Sequence, residues 1–375
     1  MTGVSLGPDR GEKRLSIGPL RHYTAAMSYT IATPQIRTRM MAEAKNTTTQ
    51  DWAALGRRVL SGGAVRREEA LAVLRSSEDD LLGLLDAAFA VRRRYFGRTV
   101  SLHVIRNAKS GACGEDCAYC SQSAESRATV PCYPLQKEEE LVNGAREAQA
   151  LGAVRYCIVT SGRCASDDDI RAICRAVRRI KKEFPLSLCV SLGIIGAEQA
   201  AQLKAAGVDR YNHNLETSER FFPSICSTHT HAERRATAGI AKAAGMELCS
   251  GGLLGMGETL EDRVDLAFAL KEAGADAIPL NFLDPRPGTR LEGRPRLSAG
   301  DALRALALFR FVNPNREIRI AGGREACLGP LQALALYPAN SLFTSGYLTT
   351  PGQGYAADKL MIEKAGFDVA EITDA

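Results

Sequence analysis

The sequence predicts an α/β fold, a (β/α)8 TIM-type barrel that follows an N-terminal helical extension. From about residue 99 onward, short β-rich runs alternate with helical stretches, a pattern typical of βα units and a parallel sheet. Eight such units fill roughly 270 residues, which suits a barrel of this kind. The first βα loop, 106–134, is unusually long, and barrels carry their chemistry in the loops at the carboxyl ends of the strands.

The elements can be placed in order along the chain. Residues 51–98 are predicted to be helical because apolar residues recur at three- and four-residue intervals in Glu68–Arg75 and Leu81–Tyr95, and residues 99–370 form the barrel. The predicted strands are Val100–Ile105, Arg155–Thr160, Leu186–Leu192, Asp209–Leu215, Glu247–Ser250, Ala277–Phe282, Glu317–Ala321 and Ser341–Thr344. The predicted barrel helices are 136–150, 167–182, 197–206, 231–244, 259–273, 299–312, 327–336 and 355–365.

Composition excludes several classes of protein. The 375 residues are 45% hydrophobic and 24% charged, which is ordinary for a soluble globular chain. The net charge of +5 is mild and forms no basic stripe, so nucleic-acid binding is not indicated. No apolar run approaches the ~18 residues that span a bilayer. Eleven cysteines without a signal peptide indicate metal binding or catalysis rather than a disulfide scaffold.

Three of these cysteines form a C-x3-C-x2-C run: Cys113, Cys117 and Cys120. Iron–sulfur cubanes are normally held by four thiolates, so a set of three leaves one iron open to another ligand. The alternative is a zinc site closed by a distant fourth ligand such as Cys132. Zinc ribbons usually need a second cysteine or histidine pair, which the sequence lacks, so the pattern favours an open 4Fe–4S cluster.

The residues around this run resemble the cluster loop of radical S-adenosylmethionine enzymes, and within them that of the biotin synthase family. The similar segments begin with Asn107–Ser123 and continue in the same order with four more: Tyr211–Thr217, Cys249–Thr259, Ile278–Phe282 and Arg319–Glu325. The resemblance spans about residues 52–370. It implies a sulfur-inserting enzyme that converts dethiobiotin to biotin by activating C6 and C9, with reductive cleavage of S-adenosylmethionine.

Three further cysteines lie on predicted strands: Cys157, Cys189 and Cys249. Each alone is as well explained by burial, because free cysteine is among the most buried residue types. Arg319 lies inside another predicted strand, where a cation is costly unless an anion pairs with it. The resemblance implies that these four residues hold a second cluster, of the 2Fe–2S type, whose sulfide is the sulfur donor.

The resemblance also implies ligands for the small molecules. Tyr119, Asn214, Glu216 and Arg234 correspond to residues that bind S-adenosylmethionine in the family. Arg234 taken alone would instead be expected on the solvated face of a helix. Two amides are expected to bind the ureido ring of dethiobiotin: Asn212 and Asn281.

Two alternatives to this function stay open. One is another radical S-adenosylmethionine barrel enzyme, and the other is a non-catalytic iron–sulfur carrier. Cys226 and Cys327 lie in family-like segments, and either could alter the auxiliary cluster. The family further implies a flavodoxin- or ferredoxin-type electron donor and a homodimer.

Residues 1–50 differ from the rest of the chain. They are rich in Arg, Thr, Ser and Met, poor in acids and without sustained periodicity, so a disordered tail is expected. The segment is either a mitochondrial-type leader or the product of a start codon placed too early. The second is favoured because the family-like sequence begins near Asp51, and a cytoplasmic location is therefore expected, with a mitochondrial one as the alternative.

Overall fold

The structure is a computed structural model that describes residues 50–371. The expected N-terminal tail therefore lies outside the described residues, except for Gln50. None of the helices within the described range combines the length and the apolar character needed to cross a membrane.

Eight parallel strands close into a barrel, which confirms the predicted fold. The strands are β1 Thr99–Lys109, β2 Arg155–Thr160, β3 Ser187–Ser191, β4 Arg210–Asn212, β5 Glu247–Cys249, β6 Gly252–Leu254, β7 Ala277–Phe282, β8 Glu317–Ile320, β9 Ser341–Thr344 and β10 Asp368–Val369. The hydrogen-bonded order is β1-β2-β3-β4-β5-β7-β8-β9, and β9 pairs with β1 to complete the circle. Two short extra strands were not predicted: β6 pairs with β7, and β10 pairs with the beginning of β1.

Helices surround the barrel and precede it. The α-helices are α1 Trp52–Leu60, α2 Arg67–Leu74, α3 Leu81–Phe96, α4 Glu138–Ala150, α5 Asp167–Glu183, α6 Ala197–Ala206, α7 His231–Ala243, α8 Leu260–Glu272, α9 Ala299–Val312, α10 Arg324–Leu328 and α11 Tyr355–Lys364. The first three pack beside the barrel, where α2 and α3 contact α9. The helix predicted over 327–336 is wrong in type: α10 ends at Leu328, and a 3-10 helix follows over Gly329–Leu336, where Pro330 lacks the N–H of a regular α-helix.

Local sequence explains where the barrel helices begin. At the start of α7, the Thr230 hydroxyl accepts a hydrogen bond from the backbone N–H of Glu233, and the Glu233 carboxylate accepts one from the backbone N–H of Thr230. Thr259 and Asp262 form the same capping box at α8. A cap of this kind contributes about 1 kcal/mol. These caps determine how each helix leaves the loop that precedes it, and those loops surround the mouth of the barrel.

The interior of the barrel is built in layers, because every second residue of a strand points inward. In the layer nearer the mouth, β2, β3, β5 and β8 contribute Cys157, Cys189, Cys249 and Arg319. Two residues earlier on each of these strands a lower layer is formed, in which β2, β5 and β8 contribute Arg155, Glu247 and Glu317. The chemistry-bearing residues thus lie one layer above a set of charged side chains.

Candidate active site

A cavity of about 280 Å³ opens at the carboxyl ends of the strands. Barrel enzymes carry their active sites at this end. The cavity brings together residues that are far apart in the sequence, and most of the predicted site residues line it. Those residues are Tyr119, Cys120, Cys157, Cys189, Asn212, Asn214, Glu216, Arg234, Cys249, Asn281 and Arg319.

The C-x3-C-x2-C run lies in the long loop after β1. Cys117 is buried, and Cys113 and Cys120 are partly exposed. The backbone N–H of Cys120 donates to the carbonyl of Cys117 at 3.1 Å, which folds the second and third cysteines into a tight turn. Burial raises the pKa of the Cys120 thiol, and the nearby Cys113 raises it further. Because thiols so close together disfavour one another's ionisation, a bound cation is what would stabilise all three as thiolates.

Asp116 ties this cysteine turn to the segment that precedes α7. Its carboxylate accepts hydrogen bonds from the backbone N–H of Ser227 at 3.0 Å and from the Ser227 hydroxyl at 2.6 Å. Burial alone would raise the pKa of Asp116, but the hydrogen bonds from Ser227 outweigh it and hold the pKa well below its usual range. The loop is therefore fixed at its centre by an ionised carboxylate.

Cys226 lies beside this turn and not beside the strand cysteines. Its sulfur is 3.9 Å from that of Cys117 and 3.3 Å from Nδ1 of His229. Within residues 50–371, Cys117, Cys226 and His229 are the group of ligand atoms close enough together to hold a single ion. Cys132 is exposed and does not belong to that group, so the zinc alternative with Cys132 gains no support.

Cys327 also lies apart from the strand cysteines. Its sulfur donates to the carbonyl of Leu297 at 3.3 Å, and the side chain packs in the hydrophobic core. Neither Cys226 nor Cys327 therefore contacts the predicted auxiliary site. The sequence places both residues in family-like segments, but it carries no signal for these tertiary contacts.

The three strand cysteines form one buried cluster inside the barrel. Cys157 and Cys189 are register partners on neighbouring strands, and Cys249 lies on β5, two strands away from β3. A hydrogen bond from Cys189 lowers the pKa of Cys157, burial opposes this, and the charge of Arg319 adds to the lowering. Three buried thiols that converge next to a cation match the soft ligand set of an iron–sulfur centre.

Arg319 is the cation of this cluster, and it is fully buried. Its Nη1 lies 3.6 Å from the sulfur of Cys249, and its Nη2 is hydrogen-bonded to Glu317. Its Nε has no hydrogen-bond partner among the described residues. Buried donors are nearly always paired, so this atom calls for an acceptor that the protein itself does not provide. The residues present therefore fit an anionic group bound between Arg319 and the three cysteines.

The predicted S-adenosylmethionine ligands meet on one side of the cavity. Arg234 is buried on α7 and not solvated, and its Nη1 donates to the carbonyl of Asn214 at 2.9 Å. The Oε1 atom of Glu216 lies 3.7 Å from the same nitrogen. Burial raises the pKa of Glu216, and the charge of Arg234 partly offsets that effect. Tyr119, between two cysteines of the turn, lines the same side.

Two amides lie deeper in the cavity. Asn281 accepts from the backbone N–H of Gly322 at 2.9 Å and donates to the carbonyl of Gly252 at 3.2 Å, so neighbouring backbone fixes its orientation. Nδ2 of Asn212 lies 3.2 Å from the sulfur of Cys249. The two side chains are suited to a flat polar ring held near the strand cysteines.

Comparison with known proteins identifies the fold and the family. The profile of the Radical SAM superfamily matches residues 108–270, and that of the Biotin and Thiamin Synthesis associated domain matches residues 279–368. The chain is 49% identical to a biotin synthase of Salinibacter ruber over 86% of its own length and 90% of the relative's. It is 50% identical to one of Lysinibacillus sphaericus, over 83% and 94% of the two lengths.

The chain belongs to the biotin synthase family. It is thus a radical S-adenosylmethionine enzyme with a sulfur-inserting activity, which confirms the function expected from the sequence. Among solved structures, methylornithine synthase superimposes with a TM-score of 0.76 at 20% identity, covering 85% of this chain and 98% of the other. At that identity the similarity is evidence for a shared fold.

Proposed function

We propose that this enzyme converts dethiobiotin to biotin by using two iron–sulfur sites that share one cavity. Cys113, Cys117 and Cys120 would hold a 4Fe–4S cluster with one open iron. Cys157, Cys189, Cys249 and Arg319 would hold a 2Fe–2S cluster. When bound, the first supplies the electron that cleaves S-adenosylmethionine, and the second supplies the sulfur atom.

The observation that carries this proposal is the convergence of three cysteines and one arginine inside the barrel. A radical enzyme without an auxiliary cluster has no need of three thiols at this depth, where thiols are otherwise unreactive. The unpaired Nε of Arg319 supports an anionic occupant. This arrangement also opposes a plain electron carrier, which needs neither an open iron nor a substrate cavity.

The remaining residues of the cavity would bind and orient the two small molecules. Arg234 is pre-oriented by the carbonyl of Asn214 and is suited to the carboxylate of S-adenosylmethionine. Tyr119, Asn214 and Glu216 would surround the rest of that molecule. Asn212 and Asn281 would hold the ureido ring of dethiobiotin.

Two partners belong to the proposal and stay predictions. An electron must reach the first cluster from an external donor, and a flavodoxin- or ferredoxin-type protein is the expected source. A homodimer is expected from the family resemblance.

Anaerobic reconstitution tests the proposal. Iron and sulfide are counted per chain, and Mössbauer spectra are recorded for the wild type and for Cys249→Ala. Two distinct spectral components are expected in the wild type, and the variant should lose one of them. A single component in the wild type would favour a simpler radical enzyme without the auxiliary site.

A further inference from the structure

Glu317 is a partly buried carboxylate directly beneath the proposed auxiliary site. It lies on β8 two residues before Arg319, so both side chains point into the barrel. Its oxygens accept hydrogen bonds from Nη1 of Arg210 and from the Ser341 hydroxyl, each at 2.7 Å. They also pair with Nη2 of Arg319 and lie 3.1 Å from Nε2 of His103. Four strands of the barrel thus converge on this one side chain.

The carboxylate determines which way the Arg319 guanidinium faces. Nη2 points down to Glu317, which leaves Nη1 against the sulfur of Cys249 and Nε free. Within residues 50–371, Glu317 is the carboxylate that pairs with Arg319. A guanidinium is protonated at any ordinary pH, so the pairing with Glu317 keeps a cation aimed at the cysteines.

The charges of the two layers are nearly balanced. Arg155, Arg210 and Arg319 contribute three positive charges, and Glu247 and Glu317 contribute two negative ones. A 2Fe–2S centre on three thiolates carries about one negative charge when oxidised, and such charges help to set its potential. The protein thus presents one net positive charge to a group of one negative charge.

We propose that Glu317 is the positioning residue of the auxiliary site: it orients Arg319 toward the cluster and lowers the cluster's reduction potential. The inference rests on the proposed auxiliary cluster. In this view the lower layer has a functional role, because it places a fixed anion behind the one residue of the site that is not a cysteine. Residues that orient a metal ligand commonly change metal affinity about 10–100-fold when they are removed.

Glu317→Gln tests this inference, because it keeps the size of the side chain and removes its charge. Glu247→Gln is the control: it removes a more exposed carboxylate of the same layer, which contacts Arg155 and Arg210 but not Arg319. Each protein is reconstituted without oxygen, its melting temperature is checked, and three properties of the 2Fe–2S cluster are recorded. They are the midpoint potential, the visible circular dichroism and the rate of iron loss to a chelator.

Glu317→Gln is expected to raise the midpoint potential, change the dichroism and speed iron loss about tenfold, while Glu247→Gln stays close to the wild type. Glu317→Asp, which keeps the charge on a shorter side chain, should restore the potential in part but not the dichroism. An unchanged potential and spectrum in folded Glu317→Gln would overturn the inference. Equal shifts in both glutamine variants would also overturn it, because net charge alone would then be the cause.

If Glu317→Gln does not fold, the test uses Glu317→Asp instead. Wild-type dichroism in that variant would overturn the inference, and an altered spectrum would support it. The wild-type sample separates this inference from the function on which it rests. Two clusters in the wild type with no effect of Glu317 would refute the positioning role alone. A single cluster type in the wild type would refute both.

Discussion

The sulfur atom of Cys226 lies 3.9 Å from that of Cys117, although 109 residues separate the two in the chain. The contact joins the cysteine turn to the segment before α7, and it places a fourth thiol next to the three that are expected to bind iron. A neighbour at this distance from Cys117 shares its surroundings, but it lies outside the C-x3-C-x2-C spacing. We therefore expect the two cysteines to differ sharply when they are replaced.

Cys117→Ala is expected to abolish 5′-deoxyadenosine release, because two thiolates do not retain a cubane. Cys226→Ser should keep the cluster and the cleavage of S-adenosylmethionine, since three thiolates remain. The measurement is 5′-deoxyadenosine formed by each reconstituted protein under strong reductant. Loss of the cluster in Cys226→Ser would show that Cys226 is itself a ligand.

Replacing the strand cysteines should separate cleavage from sulfur insertion. Cys157→Ala, Cys189→Ala and Cys249→Ala are expected to bind S-adenosylmethionine but to form no biotin, because each removes a ligand of the sulfur-donating site. Arg319→Met should retain part of the insertion, since a guanidinium is a poor donor to iron and acts by charge and position. Biotin per chain is measured in a single turnover, beside 5′-deoxyadenosine. Full biotin yield from Cys249→Ala would remove that cysteine from the sulfur-donor site.

Arg234 and Arg235 are adjacent on α7 but differ in surroundings, because the first is buried in the cavity and the second is exposed. Arg234→Met removes a charge-assisted contact of about 1.5–3 kcal/mol, which corresponds to roughly ten- to hundredfold weaker binding of S-adenosylmethionine. Arg235→Met is the control and should bind as the wild type does. Equilibrium binding to the reconstituted proteins provides the test. Equal affinities for the two variants would contradict the assignment of Arg234.

Acid should destabilise the N-terminal helices through Glu69. Burial alone would raise its pKa, but hydrogen bonds from Arg66 and Arg58 outweigh burial and lower it to about 2. A lowered pKa stabilises the fold at pH values above the unfolded value of 4.5, and this stabilisation is lost as the pH falls toward 2. Melting temperatures between pH 6 and pH 3 should therefore fall less steeply for Glu69→Gln than for the wild type. Parallel curves would show that this carboxylate does not contribute.

Much of the barrel could be predicted from the sequence because its strands are buried on both faces. The bounds of β2, β7 and β9 agree with the predicted runs, since each is a short run of mostly buried residues that ends at a turn. The helix over 327–336 was wrong because its apolar pattern hides the break at Gly329 and Pro330. Periodicity alone does not distinguish an α-helix from a 3-10 helix there.

The candidate site, too, could be predicted from the sequence only in part. The cysteines could be located because their spacing and their strand positions are properties of the sequence itself. The position of Cys226 and the pairing of Glu317 with Arg210 depend on which loops and strands become neighbours in the closed barrel. Arg210 and Glu317 are 107 residues apart, and no local pattern connects them.

The register pairing of Cys157 with Cys189 has a consequence for repeated turnover. Backbone hydrogen bonds between β2 and β3 hold these two residues at a fixed separation, independent of any group between their sulfurs. An enzyme that transfers a sulfur atom of its own cluster to the substrate needs that cluster rebuilt before the next turnover. Here the barrel itself keeps these cysteines in place after the cluster is lost. We therefore expect reassembly of the cluster to need delivery of iron and sulfide but no refolding of the chain.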